Sequence, residues 1–171
     1  MNTPCGSISK QSSSFYGKYR GVVSDNKDPH KIGRLRAKVE NVYGDKESGW
    51  ALPSVPYAGE GVGLFLIPPV GALVWIEFEN GDPDYAIWTG CFWGEKQKLP
   101  ATDPNIKVLK TEIGTIEIND EKGKKSIIIS NQIMKIEMNA SEIEITNGTG
   151  KASIQLKGRT VSINKDGLEV T

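Results

Sequence analysis

From Thr111 to Thr171 the chain repeats one short pattern: two apolar residues flanking a single residue, then a polar turn. The pairs are Ile116/Ile118, Ile127/Ile129, Ile136/Met138, Ile143/Ile145, Ile154/Leu156, Val161/Ile163 and Leu168/Val170. The flanked residue is polar or charged at Glu117, Glu137, Glu144, Gln155, Ser162 and Glu169; Ile128 is the apolar exception. Alternation of period two predicts strands with one apolar face and one solvated face. Turn-formers separate several of them: Asn119-Asp120, Lys122-Gly123, Asn147-Gly148, Lys157-Gly158 and Asp166-Gly167.

Each strand offers about two apolar side chains, and the stretch holds no proline and no aromatic residue. So narrow a set cannot enclose a core alone. Several copies wound about one axis could, with each strand paired to a strand of another turn or chain and no edge left open along the shaft. The expectation is an intertwined trimeric, triple-stranded β-helix over 111–171. The axis would be lined by the seven pairs named above. A small β-sandwich or an antiparallel meander is the other arrangement this pattern allows.

The preceding stretch alternates too, but with larger side chains. Strands are predicted over Phe15–Ser24, Gly33–Glu40, Trp50–Val55, Ala72–Glu79 and Asp84–Trp93. Tyr16, Tyr19, Val22 and Val23 are candidates for packing in the first. Leu35, Ala37 and Val39 share one face of the second, and Val74, Ile76 and Phe78 one face of the fourth. Pro68-Pro69-Val70-Gly71 makes a rigid corner and Asn80-Gly81-Asp82-Pro83 a hairpin turn. Five strands without a helical period fit a small closed barrel of the OB type over 15–95. Residues 1–14 read as a flexible polar arm and 96–110 as a linker.

Composition narrows the function. Lys and Arg number 21, as do Asp and Glu, so the formal net charge is zero. That gives no electrostatic footprint for nucleic acid or an anionic membrane. The first fourteen residues lack the apolar core of a signal peptide. Cys5 and Cys91 form neither a disulfide framework nor a metal spacing, and Cys91 reads as a small buried hydrophobe. His30, beside Pro29 in a turn, has no partner for metal or base chemistry and reads as a surface residue. Glu77, Glu79, Asp82 and Asp84 read as a solvated face and turn, not a hydrolase pair. Trp75, Tyr85, Trp88, Phe92 and Trp93, with Arg34, Arg36 and Lys38, could form a platform for single-stranded nucleic acid or a glycan. That binding module with an oligomerising β tail is the alternative; core or subunit packing is the expectation. No catalytic, cofactor or metal residues are assigned.

Three runs bear a resemblance. Gly33-Arg34-Leu35 precedes a basic strand and Ser48-Gly49-Trp50-Ala51; Phe65-Leu66-Ile67-Pro68-Pro69-Val70-Gly71 follows. The most specific run is Val74-Trp75-Ile76-Glu77-Phe78-Glu79-Asn80-Gly81-Asp82-Pro83-Asp84. Together they resemble the OB domain of the central spikes of contractile tails: phage baseplate assembly protein V, T4-type tail spikes and the valine-glycine repeat spikes of type VI secretion. The resemblance implies a homotrimer in a virion or related particle. It would dock under a tube hub and pierce a target envelope on sheath contraction, as a structural wedge without catalysis. The stretch 94–111 is too short for the lysozyme domain of T4-type spikes. The fourteen residues before the barrel leave the hub to a separate chain. Paired tip histidines are missing, and Leu168, Glu169, Val170 and Thr171 keep the strand pattern. A separate tip protein of the proline-alanine-alanine-arginine (PAAR) type is expected to dock there.

Overall fold

The computed structural model describes residues 14–148, 152–165 and 167–170. The arm expected over 1–14 lies outside them apart from Ser14. Two compact units follow one another, the first ending at Gln97 and the second beginning at Lys98.

The first unit is a closed five-stranded barrel. Its strands are β1 (Tyr19–Asp25), β2 (Arg36–Lys38), β3 (Leu52–Pro53), β6 (Leu73–Phe78) and β7 (Ala86–Phe92). They lie in the order β2-β1-β6-β7-β3. β3 runs parallel to β7, and the bridge Leu35–Ala51 joins the two ends of the sheet. Period-two alternation fixes the inside. Leu35, Ala37, Val39, Val74 and Ile76 are fully buried, with Phe78, Ala86, Trp88 and Val23 around them. One expectation is corrected. Ala86 and Trp88 point inward, but the β6–β7 register shifts after Trp88, and Cys91, opposite Val74, is exposed. Tyr16 and Val22 are also exposed rather than packed. Between β2 and β3 lies a single helical turn, α1 (Glu40–Tyr43). A hairpin of two-residue strands, β4 (Ala58–Gly59) and β5 (Val62–Gly63), leaves the barrel between β3 and β6.

Glycine is required at two barrel positions. Gly81 has φ +76° and its carbonyl accepts the Phe15 N–H at 2.8 Å; a Cβ there would meet the Tyr16 ring at 3.0 Å. Gly33 has φ +83° and its carbonyl accepts the buried Trp88 indole N–H at 3.1 Å. Both conformations disfavour a side chain.

The second unit is a single eight-stranded sheet of strands in chain order: β8 (Ile106–Lys110), β9 (Gly114–Asn119), β10 (Ser126–Asn131), β11 (Met134–Asn139), β12 (Glu142–Asn147), β13 (Ser153–Lys157), β14 (Thr160–Ile163) and β15 (Leu168–Val170). Every adjacent pair is antiparallel. One expectation is corrected here. Residues 106–110 are not linker: Ile106, Val108 and Leu109, spaced by lysines, pair with β9 as an eighth strand. Within one copy, each strand pairs with the strands before and after it in the chain.

The turns explain that choice. Asn131 Oδ1 accepts the N–H groups of Ile133 and Met134 at 2.8 and 2.6 Å. Asn139 Oδ1 accepts from Ser141 N–H, Ser141 Oγ–H and Glu142 N–H at 2.9, 2.9 and 3.1 Å. Asn119 accepts from Glu121, Asn147 from Ala152, and Asn164 from Ser153. A side-chain carbonyl that bonds the backbone two or three residues on closes the chain into a reversal, so each strand returns beside the last. Asn139→Ala leaves two backbone donors without this acceptor and should lower the stability of the second unit by about 1–2 kcal/mol. Denaturant unfolding followed by far-UV circular dichroism measures this; an unchanged midpoint would remove the turn from the account.

Candidate functional site

In the barrel, the side chains that carry charge and aromatic surface are tied to one another. Arg34 and Arg36 flank the Trp50 ring at 5.6 and 5.0 Å. Arg34 donates two bonds to Asp28 Oδ1, at 3.0 and 2.7 Å, and Arg36 bonds Glu47 at 2.8 Å. Asp28 also accepts the backbone N–H groups of His30, Ile32 and Arg34. One carboxylate therefore organises the whole 28–34 loop. The Arg34 guanidinium, joined by these N–H groups, holds the Asp28 carboxyl far below the usual carboxylate range.

The expected platform residues scatter. Trp88 is buried, Trp75 stacks on Phe92 at 4.5 Å with Arg20 over both rings, and Tyr85 and Trp93 are exposed. Glu77 pairs with Lys18, and His30 is exposed with only its backbone engaged. At the β6–β7 turn, Tyr43 Oη donates to the Pro83 carbonyl at 2.6 Å. Burial and the negative field of Asp84 and Asp82 push the Tyr43 hydroxyl up to about 12. Among the described residues, no group of three or more His, Cys, Asp and Glu could hold a metal ion.

The extended feature lies in the second unit. Its register sets the apolar residues in two columns that cross all eight strands. One runs Leu109, Ile116, Ile129, Ile136, Ile145, Ile154, Ile163 and Leu168. The other runs Lys107, Ile118, Ile127, Met138, Ile143, Leu156, Val161 and Val170. The seven sequence pairs thus fall on one face with no slip. Leu109 extends the first column; alternation gave no signal for it, because Ile106 and Val108 alternate with Lys107 and Leu109 shares the parity of Lys107. Among the described residues of the second unit, nothing covers this face. Most of its side chains are exposed, from 38% at Ile143 and Val161 to 54% at Leu168, and Ile136, Met138 and Ile145 are half-buried by their neighbours. Of the segment expected to meet a tip protein, Leu168, Glu169 and Val170 form β15, and Thr171 lies outside the described residues.

The opposite face is polar. Its central column runs Val108, Glu117, Ile128, Glu137, Glu144, Gln155 and Ser162. Ile128, the apolar exception, sits here between two glutamates. Glu137 and Glu144 face each other as like charges, and Lys135 pairs with Glu137. Lys107–Asp120, Lys124–Glu121 and Lys157–Glu142 pairs lie elsewhere on the sheet at 2.6, 3.0 and 3.6 Å. Exposed pairs of this kind add little stability.

An exposed apolar face of this length demands a partner, and comparison with known families says which kind. The type VI secretion system/phage-baseplate injector OB domain matches residues 19–93, and the phage baseplate V C-terminal trimerisation domain matches residues 105–169. The chain belongs to the central spike family of contractile tails. It is 30% identical over 116 residues to the type VI secretion system spike protein VgrG4b of Pseudomonas aeruginosa, a match covering 60% of this chain and 14% of that protein. It is 31% identical over 98 residues to spike protein VgrG5 of the same organism, covering 52% and 12%. A third relative is the actin cross-linking toxin VgrG1 of Vibrio cholerae, 34% identical over 97 residues, covering 52% and 9%. The chain thus spans less than a fifth of the length of these relatives. It is a structural spike component of a phage tail or type VI apparatus, with an OB domain and a trimerisation domain.

The Asp28 loop carries a pH signature. Its carboxyl is lowered in the folded chain, so the stabilisation is present above the unfolded value of about 4 and is lost as pH falls below it. The wild-type chain should melt above Asp28→Asn at neutral pH, with the gap narrowing below about pH 4. A gap of constant size across a Tm series from neutral to acid pH would show that the Arg34 pair does not supply it.

Proposed function

We propose that three copies of this chain join through the apolar faces of β8–β15, with the seven pairs from Ile116/Ile118 to Leu168/Val170 turned toward a common axis. The assembled spike docks under a separate hub at its OB end and takes a PAAR-type tip protein at Leu168–Thr171. Sheath contraction drives it through a target envelope. It works as a rigid wedge, without cofactor or catalysis.

One observation carries the reading: two in-register apolar columns lie open along a single-layered sheet. Full burial of an Ile-sized side chain is worth roughly 1.5–3 kcal/mol, so covering the exposed part of each is worth about 1 kcal/mol. Over fourteen positions and three chains this reaches tens of kcal/mol before the entropy of association is subtracted. Assembly and completion of the second unit would then be one event.

Ile145→Asp places a carboxylate at the middle of the first column, where three copies would meet. Light scattering after size-exclusion chromatography should give the wild-type chain three times its mass of 18.7 kDa, unchanged on dilution, and the variant a smaller species. A wild-type monomer with full β signal, or a variant that still forms the trimer, would sink the axial placement.

A further inference from the structure

The barrel has two unlike ends. The 26–34 loop and the β4–β5 hairpin gather where β1 finishes and β6 begins: Asn26 bonds the Pro68 carbonyl, and Gly33 faces Phe65 and Ile67. That end is apolar, with two lysines and one carboxylate, Glu60 of the hairpin turn, exposed around it. Phe65 is 72% exposed, Tyr57 60% and Ile32 53%, beside a groove of about 400 Å³ lined in part by Pro53, Val55 and Leu64. Lys31 lines it and Lys27 lies in the adjoining 26–34 loop; both are exposed and make no ion pair among the described residues.

The other end of β6 carries the opposite set. Tyr16 and Tyr85 are 72% and 61% exposed around the 79–84 turn, which places Glu79, Asp82 and Asp84 at the surface, also without ion pairs among the described residues. The negative field there is strong enough to act on the neighbouring Tyr43 hydroxyl.

The two ends differ in the sign of most of their unpaired charges. A hairpin of two-residue strands with every residue exposed also gains little rigidity from itself. The loop beside it is held in advance by Asp28, which favours docking by reducing the ordering cost. Both ends cannot meet within one chain, since the six residues of β6 set them about 20 Å apart.

We infer that the Lys27/Lys31 end of one OB domain docks on the Glu79/Asp82/Asp84 end of the next copy, so that three OB domains close into a ring. The inference rests on the trimeric reading above. A trimerisation domain in the same chain tethers the copies, raising their local concentration to the millimolar range typical of short linkers. A heterologous contact of this kind closes into a ring when its rotation matches the symmetry of the tether. Opposite charges at the rim would fix which end meets which.

Zero-length carbodiimide coupling of the full chain at low salt, read by peptide mass spectrometry, tests it. The expected products are amide links from Lys27 or Lys31 to Glu79, Asp82 or Asp84, in a species of trimer mass. Lys27→Glu with Lys31→Glu should abolish them while leaving the mass trimeric. Adding Glu79→Lys and Asp82→Lys should restore links with donor and acceptor exchanged. A trimer without these links overturns the ring and leaves the Phe65 end to a different partner. Links found only in species larger than the trimer also overturn it, because the contact would then propagate rather than close. A monomer by light scattering fails earlier, at the trimeric reading itself.

Discussion

A single sheet can shield only one of its faces by folding, and only if something lies across it. The second unit has nothing to lie across. Its eight strands form one layer, and the described residues of that unit include no helix and no second sheet to complete a core. The exposed columns of aliphatic side chains are therefore the constraint on which the unit depends. They explain why both columns stay in register over every strand, since a slip of one residue would turn apolar side chains to the polar face. They also explain why the match to a trimerisation domain covers the sheet and little else.

The barrel solves the same problem within one chain. Its strands curl until β2 and β3 meet at Leu35–Ala51, and ten residues fill the space enclosed. What remains for its surface is arrangement. Asp28 gathers three backbone N–H groups and Arg34 into one node. Trp50 lies between two guanidiniums that are each matched by a carboxylate. Basic and aromatic groups that a composition reading would offer to nucleic acid are thus largely engaged with neighbours in the fold.

Faces were legible in the sequence; neighbours were not. Alternation assigns Leu35, Ala37, Val39, Val74, Ile76 and Phe78 to the inside whatever they pair with, and all six lie there. The same logic put the seven C-terminal pairs on one face. It could not say which strand lies beside which, because period two is blind to the partner. The Asn turns decided that, and two of them, Asn131 and Asn139, lack the following glycine that marks a turn in sequence. β8 was hidden by its lysines and by Pro104 just before it. The Trp50 stack joins residues distant in the chain, and the exposure of Cys91 goes with a register shift in the β6–β7 pairing. Neither has a local signature.

The Asn-closed hairpin also makes the sheet a measured object. Neighbouring strands stand about 4.8 Å apart, so each down-and-back pair adds close to 10 Å of length. Such a pair brings its own turns and its own four places in the two columns, and it returns the chain to the direction it left. Inserting or deleting one pair would change the length and nothing else about the cross-section; a single strand would reverse everything after it. Length in this sheet is therefore counted in hairpins, and evolution can adjust it by whole units without redesigning the apolar face.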